Sequence, residues 1–478
     1  MAEYLHGAYG QQEASGISVP AKAGTLPVYF GVAPVHQLTD YAGTVKTPVV
    51  LRSASQARAA VGYAADWDLF SLGEALYLHF MSAEPVGPIA VVNLLDPDVH
   101  RTESQTTKNV TFVNGRAEIP TQTAILKTVA VDGQTGVTAA YSDDGASLVL
   151  TDPAGTLSGS QSVSYYEVDT SALAAAVSSD FAGMIAAAAP LVYEIAGTPP
   201  SIFCAPGHSA AADVDTALKN AARKINGHWN AFVYSDLDCS TAGTVDKAIA
   251  AKAGALHDDA RECPCWPVFG DGTRWYHGSA LSVYRAMLVD LANGNVPYET
   301  ASNKEIPITG VYTGSAGNYT PLRLDKQEAD RLNSKGIRTA IFWGGSWRLW
   351  GPHTGAYDFD ASNAAEEIFD CSVRMALYLG NQFALSYGDE VDKPMHRARI
   401  DQILDKEQEH LDALVNDGAL LYGRIEFNED ANPDSDLISG QFTFETKYTS
   451  TPAGRAIINR YRYTTTGLQA LTSGGETE

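Results

Sequence analysis

The chain has little cysteine and no excess of positive charge. Its five cysteines among 478 residues are an odd number and widely scattered. This argues against a disulfide-stapled secreted scaffold and favours reduced thiols in a protein synthesised in the cytosol. Lysine and arginine number 33 against 56 aspartates and glutamates, which gives a formal net charge of -23. Because phosphates and anionic lipid surfaces attract basic proteins, direct binding to nucleic acid or to a membrane surface is not expected.

The sequence also lacks segments that would direct it into a membrane. No basic stretch followed by an apolar one opens the chain, so no secretory signal is predicted. The longest apolar stretch, residues 181–195, is interrupted by Pro190 and Glu194 and is too short to span a bilayer. We therefore expect no transmembrane segment and no membrane insertion.

Motifs for cofactors and metals are missing as well. No glycine-rich phosphate loop follows a predicted strand. The one close cysteine pair, Cys263 and Cys265, has a single intervening residue and no matching second pair, so buried thiols are favoured over a zinc site. We expect neither a cofactor nor a metal.

What the chain does contain is an alternation of apolar strands and helices. Strands are predicted over residues 25–33, 48–51 and 89–95, with a helix start at Ser53 and a helix over 69–81. The alternation resumes at residue 172. A mostly parallel sheet covered by helices on both faces is the expected result.

The chain length and the changes in amino-acid composition along the chain predict several domains. Residues 99–169 are rich in Thr, Ser and Gly, with short alternating runs between Asn-Gly and Asp-Gly turns, which predicts a small all-β domain. The fold class is multidomain α/β and α+β. The predicted divisions are an N-terminal arm at 1–20, an α/β domain at 21–98 and 170–305, the inserted β domain at 99–169, an inner α+β domain at 306–439 and C-terminal strands with an arm at 440–478.

Both ends of the chain are predicted to form strands with neighbouring subunits. Residues 1–20 are too short and polar to hold a core, and residues 440–448 alternate apolar and polar side chains. Such arms are typical of assemblies in which one subunit adds a strand to the sheet of another. The predicted linker residues are Tyr4, Leu5, His6, Gly7, Ala8 and Tyr9 at the front, and Phe442, Phe444, Thr446 and Tyr448 at the back.

One turn leaves an enzymatic alternative open. Ser209 follows a predicted strand and precedes a helix, where an acyl hydrolase places its nucleophilic serine. On chain order, the remaining members of a triad would come from Asp236, Asp238, His277 and His353. Ala211 stands where that motif has its second glycine, which favours instead an ordinary turn with Ser209 capping the helix.

The tryptophans near residue 345 are a second feature with two interpretations. Trp343, Trp347 and Trp350 lie close to Arg348. Stacking on a sugar or a base is possible chemically, but core packing and arginine–aromatic stacking at a subunit contact fit an acidic chain better. A carbohydrate-binding role for residues 99–169 is a further alternative.

Taken together, several separated motifs resemble the sheath proteins of contractile phage tails, bacteriocins and injection systems. The stretch 4–9 resembles the His-Gly-Val-Tyr opening of that family, with Ala8 where valine is common. Residues 30–34 resemble its first core strand, residues 205–207 a strand end, and residues 347–351 its entry into the C-terminal domain. The match covers nearly the whole chain except the inserted residues 99–169.

The resemblance implies a structural subunit and no enzyme. It implies a helical homo-oligomer of stacked six-fold rings around a tail tube, contracting to drive that tube through a target cell envelope. The tail tube protein, the baseplate and the tail terminator are the implied partners, and nucleic acid stays inside the tube. The location is a virion tail or contractile particle assembled in the bacterial host cytoplasm. Candidates for facing an acidic tube are Arg397, Arg399 and Lys406.

Overall fold

The structure, a computed structural model, describes residues 21–22, 24–254 and 257–471. The predicted arm residues 4–9 lie outside these ranges, and their linker role stays a prediction. Within the described residues the protein is a mixed α/β molecule with several sheets.

The first part of the chain alternates strands and helices, as predicted. Its elements are β1 (Ala21–Lys22), β2 (Pro27–Gly31), β3 (Pro48–Leu51), α1 (Ala54–Val61), α2 (Leu72–Phe80), β4 (Val86–Gly87) and β5 (Ile89–Asn93). The Ser53 hydroxyl accepts a hydrogen bond from the Gln56 N–H at 3.2 Å, so α1 begins with the predicted cap.

The segment predicted as an all-β insertion consists largely of strands. They are β6 (Thr106–Phe112), β7 (Arg116–Pro120), β8 (Ala130–Val131), β9 (Thr138–Tyr141), β10 (Ser147–Thr151) and β11 (Gly159–Tyr165). They form two three-stranded sheets, β7-β10-β9 and β6-β11-β8, around an apolar cluster of their own that includes Phe112, Leu148 and Tyr165. One of the alternating runs in this segment, residues 125–131, is mostly a turn and not a strand, because the Thr128 hydroxyl donates a hydrogen bond to the Ile125 carbonyl at 2.7 Å.

Alternating helices and strands then return to the central sheet. The elements are α3 (Thr170–Ala188), α4 (Val192–Ala196), β12 (Ile202–Cys204), α5 (Ala212–Ala221), β13 (Phe232–Asp236), α6 (Val245–Gly254), β14 (Glu262–Cys265), β15 (Val268–Gly270), β16 (Trp275–Tyr276) and α7 (Gly278–Ala292). Six strands form one sheet in the order β14-β13-β12-β2-β5-β3, and every neighbouring pair is parallel except β3 with β5. The predicted mostly parallel sheet is confirmed.

The strand β14 was not predicted. Pro264 lies in its middle, and proline argues against a strand because it cannot donate to the ladder. The strand is nevertheless possible because β14 lies at the edge of the sheet. The Pro264 carbonyl accepts a hydrogen bond from the Arg338 N–H at 2.9 Å. Cys263 and Cys265 are buried free thiols, as are the other three cysteines.

One helical segment passes the length and hydropathy test for crossing a membrane. Thr170–Ala196 is 27 residues long with a mean hydropathy of 1.5, and 33% of its most apolar window is buried. It extends beyond the helix predicted at 173–188. Phe181, Met184 and Ile185 on one side of α3 are buried in the apolar core that includes the central sheet, while small residues face outward.

The last part of the chain adds hairpins and two long helices. Its elements are β17 (Gly310–Ser315), β18 (Asn318–Leu322), α8 (Lys326–Asn333), β19 (Thr339–Trp343), β20 (Ser346–Trp350), α9 (Asp370–Tyr387), α10 (Arg397–Asn416), β21 (Leu420–Glu426), α11 (Asp434–Ser439) and β22 (Glu445–Ser450). Helix α9 begins nine residues later than the predicted start at 361, because Asp370 is held in the core by the ion pair described next.

Two buried ion pairs join α9 to the central part of the molecule. Arg338 lies 2.6 Å from Asp370, and both side chains are fully buried. The Tyr234 hydroxyl on β13 donates to the same carboxylate at 3.2 Å. Arg374 on α9 pairs with Asp290 on α7, which also accepts from the Thr25 hydroxyl at 2.7 Å. Separating these charges would leave them unpaired in the interior, so α9 and the sheet are held as one body.

The buried histidines predict a loss of stability in acid. Burial lowers the pKa of His36, His79, His208 and His353 to about 4. Since the unfolded chain takes up these protons near pH 6.5, stability is complete above that pH and falls as the pH drops towards 4. Each histidine contributes at most about 3 kcal/mol at the acid end.

The measurement is the midpoint of thermal unfolding at several pH values between 7 and 4.5. We expect a steady decrease, and a shallower one in His36→Phe, which no longer titrates. An unchanged midpoint across this range would contradict the assignment of neutral, buried imidazoles.

Candidate inter-subunit surfaces and the Ser209 turn

The hairpin of β21 and β22 is the C-terminal sheet of the molecule. The strands are antiparallel, with Glu426 opposite Glu445 and Leu420 opposite Ser450. The predicted strand at 442–448 therefore starts three residues late, at Glu445. The reason is Asn432, whose side chain exchanges two hydrogen bonds with the Thr443 backbone, at 2.7 and 2.9 Å, and so replaces a strand partner there.

The predicted C-terminal linker residues contact their own chain. Thr446 lies opposite Ile425, and Tyr448 lies opposite Gly423. Phe444 packs against the apolar cluster between α9, α10 and β21, and the Phe442 ring stacks 6.4 Å from Phe427. These residues thus build the hairpin, and their contact with another subunit stays a prediction.

Each strand of this hairpin has a single partner among the described residues. The outer edge of β22 consequently carries backbone N–H and C=O groups that are available to pair with an added strand. The outer edge of β21 is partly closed by Gln408 on α10, whose side-chain amide donates to the Gly423 carbonyl at 3.0 Å and accepts from the Ile425 N–H at 3.2 Å. The face towards α10 is closed by Leu411, Leu414 and Leu420. The hairpin therefore offers one open edge, along β22.

Beyond Ser450 the chain leaves the body as a C-terminal arm, residues 451–471. It has no strand, and its one regular element is a short turn of helix at Thr466–Leu471. Four apolar side chains in its middle are almost wholly exposed: Ile457 at 95%, Ile458 at 78%, Tyr461 at 89% and Tyr463 at 88%. The arm carries Arg455, Arg460 and Arg462 and no acidic residue, so its charge is +3 on a chain of -23.

Sequence reasoning placed an arm in this region and overlooked these residues. The signal was present, because isoleucine, tyrosine and threonine are all strand formers and lie together at 457–466. Their exposure in a folded chain is unusual for apolar side chains this large.

The root of the arm is held against the body. The Thr451 hydroxyl donates to the Gly418 carbonyl at 2.6 Å, and the Arg455 guanidinium lies 5.6 Å from the centre of the Phe359 ring. Residues 451–456 form one wall of a groove of about 700 Å³ whose other lining residues include Lys326 and Trp350. The first residues of the C-terminal arm are therefore fixed to the body.

The structure does not assemble a catalytic triad around Ser209. This serine is fully buried, and its hydroxyl accepts from the Asp236 N–H at 2.9 Å. Asp236 is in turn bonded by the backbone and the hydroxyl of Ser279. His277 contacts Glu74 at 2.8 Å and makes no hydrogen bond to Ser209 among the described contacts.

The remaining triad candidates are elsewhere. His353 stacks on Tyr357 with ring centres 3.6 Å apart, and Asp238 accepts hydrogen bonds from Ser240 and Thr241. The capping interpretation is also wrong, since α5 begins at Ala212 and receives no side-chain cap. The Ser209 side chain instead joins the turn to β13.

His277 and Glu74 form a buried ion pair in the same region. Burial opposes the charged imidazole, but Glu74 outweighs it and raises the pKa of His277 to about 9. The imidazole is therefore protonated at neutral pH, and a protonated histidine cannot accept a proton from a serine. This is a second physical reason against hydrolase chemistry.

Replacing Ser209 with alanine tests its structural role. The variant leaves the Asp236 N–H without its partner, so we expect a loss of about 1–3 kcal/mol of stability, seen as a lower thermal midpoint. A serine-reactive phosphonate should label neither protein. Ser178→Ala, at an exposed position of α3, is the matched control with an unchanged midpoint. Labelling that disappears only in Ser209→Ala would restore the enzymatic interpretation.

A buried charge cluster has the donor types of a metal site. Asp215, His257 and Glu262 bring ligand atoms within 4.8 Å of one another, and all three are buried. Lys219 lies 2.6 Å from Asp215 and 3.5 Å from Glu262, so the protein supplies a cation of its own there. Burial, with the neighbouring Glu262, raises the pKa of Asp215 to about 7. The cluster neutralises itself and anchors α5 to β14.

The predicted tube-facing residues all lie on α10, Arg397 and Arg399 in its first turn and Lys406 at its middle. Arg397 pairs with Asp401 at 2.8 Å, and Arg399 pairs with Glu390 at 2.8 Å. Lys406 is exposed. Two of the three cations are thus already paired within the chain, and their contact with a tube stays a prediction.

Comparisons with known proteins agree with the resemblance. No family model matches the chain. It is similar to the tail sheath protein of Burkholderia phage BcepMu, with 26% identity over an alignment of 513 residues that covers 99% of both proteins. It is also similar to the tail sheath protein of Escherichia phage P2, with 27% identity over 278 residues, 56% of this chain and 65% of that relative.

Two solved structures share its fold. A chain of the anti-feeding prophage (AFP) baseplate has a TM-score of 0.60 at 13% identity and covers 97% of this chain and 100% of its own. A chain of the PVC sheath complex in its contracted state, from an extracellular contractile injection system, has a TM-score of 0.57 at 11% identity, covering 97% and 98%. The chain is thus similar to phage tail sheath proteins, to one of them over 99% of its length, which confirms the resemblance predicted from its sequence motifs.

Proposed function

We propose that the chain is the structural subunit of a contractile tail sheath. Copies of it assemble into a helical tube around a tail tube, and contraction of that assembly drives the tube through the target cell envelope. The observation that carries the proposal is the similarity to the BcepMu tail sheath protein over 99% of both chains. No described constellation of side chains supports an enzyme, and we propose that the protein is not one.

Strand addition would connect the subunits. The hairpin of β21 and β22 offers an open edge along β22, and the C-terminal arm offers exposed strand-forming residues. An arm of one subunit that adds to this edge of the next subunit would gain main-chain hydrogen bonds along its length. The N-terminal arm, residues 1–20, would add a further strand beside it. The +3 charge of the C-terminal arm favours its approach to an acidic neighbour.

Contraction would move each subunit as a rigid body. The buried pairs of Arg338 with Asp370 and Arg374 with Asp290 hold α9 to the sheet, so the body resists internal rearrangement. The arm has Pro452 and Gly454 at its root and no strand of its own, which makes it the natural hinge. A repeated heterologous contact whose rotation does not close gives a helix. Surface newly buried between subunits would supply the energy, without a nucleotide.

We also propose an architecture, a set of partners and a location on the strength of the same resemblance. The rings would be six-fold and stacked, and the partners would be the tail tube protein, the baseplate and the tail terminator. Assembly would take place in the host cytoplasm, and the mature location would be a virion tail or contractile particle. Nucleic acid would remain inside the tube.

Electron microscopy of the purified full chain tests the proposal. Negative stain should show striated tubes. Deleting residues 452–478, or residues 1–20, should leave a folded subunit that forms none. The cut is placed after Thr451 because removing β22 would also remove Phe444 and Tyr448 from the apolar cluster beneath the hairpin.

Deleting only residues 472–478 is the matched control and should preserve the tubes. Normal tubes from either longer truncation would contradict the strand-addition mechanism. A full chain that forms no tubes at all would contradict the sheath function itself.

A further inference from the structure

The hairpin of β19 and β20 ends in a tip of two exposed aromatic residues. Phe342 is 60% exposed and Trp343 is 58% exposed. Gly344 and Gly345 follow with φ values of 64° and 91°, the left-handed conformation of a tight two-residue turn. The Phe342 ring contacts Trp347 edge to face, with ring centres 5.9 Å apart. We call Phe342 and Trp343, with their turn, the aromatic tip.

This tip is rigid and has no apolar partner for most of its surface. Cross-strand pairs run along the hairpin from Thr339 opposite Trp350 to Trp343 opposite Ser346. Large aromatic side chains bury much area at little cost in conformational entropy, which is why they anchor protein contacts. Their presentation on a fixed turn favours an interaction surface over core packing.

A shallow apolar groove lies on the C-terminal part of the same chain. It has a volume of about 480 Å³ and is lined by Met395, Ile400, Phe427, Asp434, Leu437, Ile438 and Phe442. Ile438 on α11 is 87% exposed. We call this the α11 groove. It is apolar except for Asp434 at its margin.

We propose that the aromatic tip of one subunit inserts into the α11 groove of a neighbouring copy. One chain carries both halves of the contact, and both halves are exposed in the folded subunit. A contact between two different patches repeats from copy to copy and builds an open assembly. The inference rests on the proposed self-assembly, but it is independent of the arms.

Charge on the two surfaces is complementary. The hairpin over residues 339–350 has one charged side chain, Arg348, which shares a face of the hairpin with Trp343. The chain over residues 428–436, beside the groove, carries four acidic residues and no basic one. Arg348 is partly exposed, and its guanidinium donates to the Asn303 carbonyl at 3.1 Å, so it contributes a positive charge at a fixed position. This charge is complementary to the acidic margin at Asp434 of the next copy.

Trp343 and Ile438 are both exposed, so a designed cross-link can reach each surface. All five native cysteines are buried, so a cysteine introduced at an exposed position is the reactive one. We would prepare Trp343→Cys and Ile438→Cys as separate full chains, mix them, assemble tubes and oxidise. A disulfide between the two positions should give a dimer on a non-reducing gel.

Val99→Cys mixed with Ile438→Cys is the matched control. Val99 is 67% exposed and lies outside both surfaces, so no dimer is expected. Tubes that form but contain no Trp343–Ile438 cross-link would overturn the inference while leaving the sheath function intact. Cross-linking of Trp343→Cys to a tail tube protein instead would assign the tip to another partner and also overturn it. Failure of the unmodified chain to form tubes would overturn both proposals.

A second variant gives an independent measure. Replacing both Phe342 and Trp343 with serine should raise the protein concentration needed for tube formation at least tenfold. Circular dichroism and the thermal midpoint should be unchanged, because both side chains are exposed in the free subunit. Tube formation at the unmodified concentration would overturn the inference.

Discussion

Replacing Ile457, Ile458, Tyr461 and Tyr463 with serine should abolish tube formation and leave the subunit folded. All four side chains are at least 78% exposed, so the folded monomer loses almost no contacts and its stability changes little. In an assembly they would become buried, and each large apolar side chain contributes about 1.5–3 kcal/mol on burial. Even if the serine variant loses only half of this burial free energy at each of the four positions, association is weakened by about a factor of 100 or more.

Sedimentation and negative-stain microscopy of the fourfold variant check this result. Val391→Ser is the matched control, because Val391 is 68% exposed but lies on the body outside the arm. Its tubes should be normal. If the fourfold variant forms tubes at the same concentration as the unmodified chain, the arm has no role in linking subunits.

Replacing Arg338 with methionine should destabilise the body strongly. The substitution leaves the buried Asp370 carboxylate without its partner at 2.6 Å, and breaking a pair of this kind costs about 3–5 kcal/mol. The thermal midpoint should fall accordingly. Replacing Asp370 with leucine in the same chain should recover part of the loss, because no unpaired charge then remains.

Arg331→Met is the surface counterpart. Arg331 pairs with Asp246, with side chains 53% and 78% exposed, and such a pair is worth less than about 1 kcal/mol. Equal effects of Arg338→Met and Arg331→Met would show that the interior pair does not hold α9 to the sheet.

Much of the α/β body could be predicted because its strands and helices have strong local signals. The strand at Pro48–Leu51 and the cap at Ser53 were predicted to the residue. The edge strand with Pro264 could not be, since its existence depends on a neighbour, Arg338, that is 74 residues away in sequence. Tertiary contacts override local propensity at such positions.

The candidate surfaces were harder to predict for a related reason. Alternation at 440–448 indicates a strand, but only the fold shows that Asn432 delays it and that its partner is β21 of the same chain. The sequence around Trp343 predicted both core packing and a subunit contact. The exposure of the side chains assigns these roles to different residues, since Leu349 is buried while Phe342 and Trp343 face solvent. The sequence identifies the apolar residues, but the fold determines which of them remain exposed to solvent.

The open edge of the β21–β22 hairpin is a hazard before any tube exists. A free sheet edge is a template for aggregation, and every newly made subunit carries one along β22. Charges along the hairpin counter this: Lys447 lies 2.8 Å from Glu426 across the two strands, and Arg424 and Glu445 are exposed beside them. An apolar strand from another protein that paired here would have to remove the hydration water of these charged groups. A cationic arm of the matching length would not have to do so. These charges would therefore protect the free subunit from unspecific strand pairing and still allow the proposed arm to add to the hairpin.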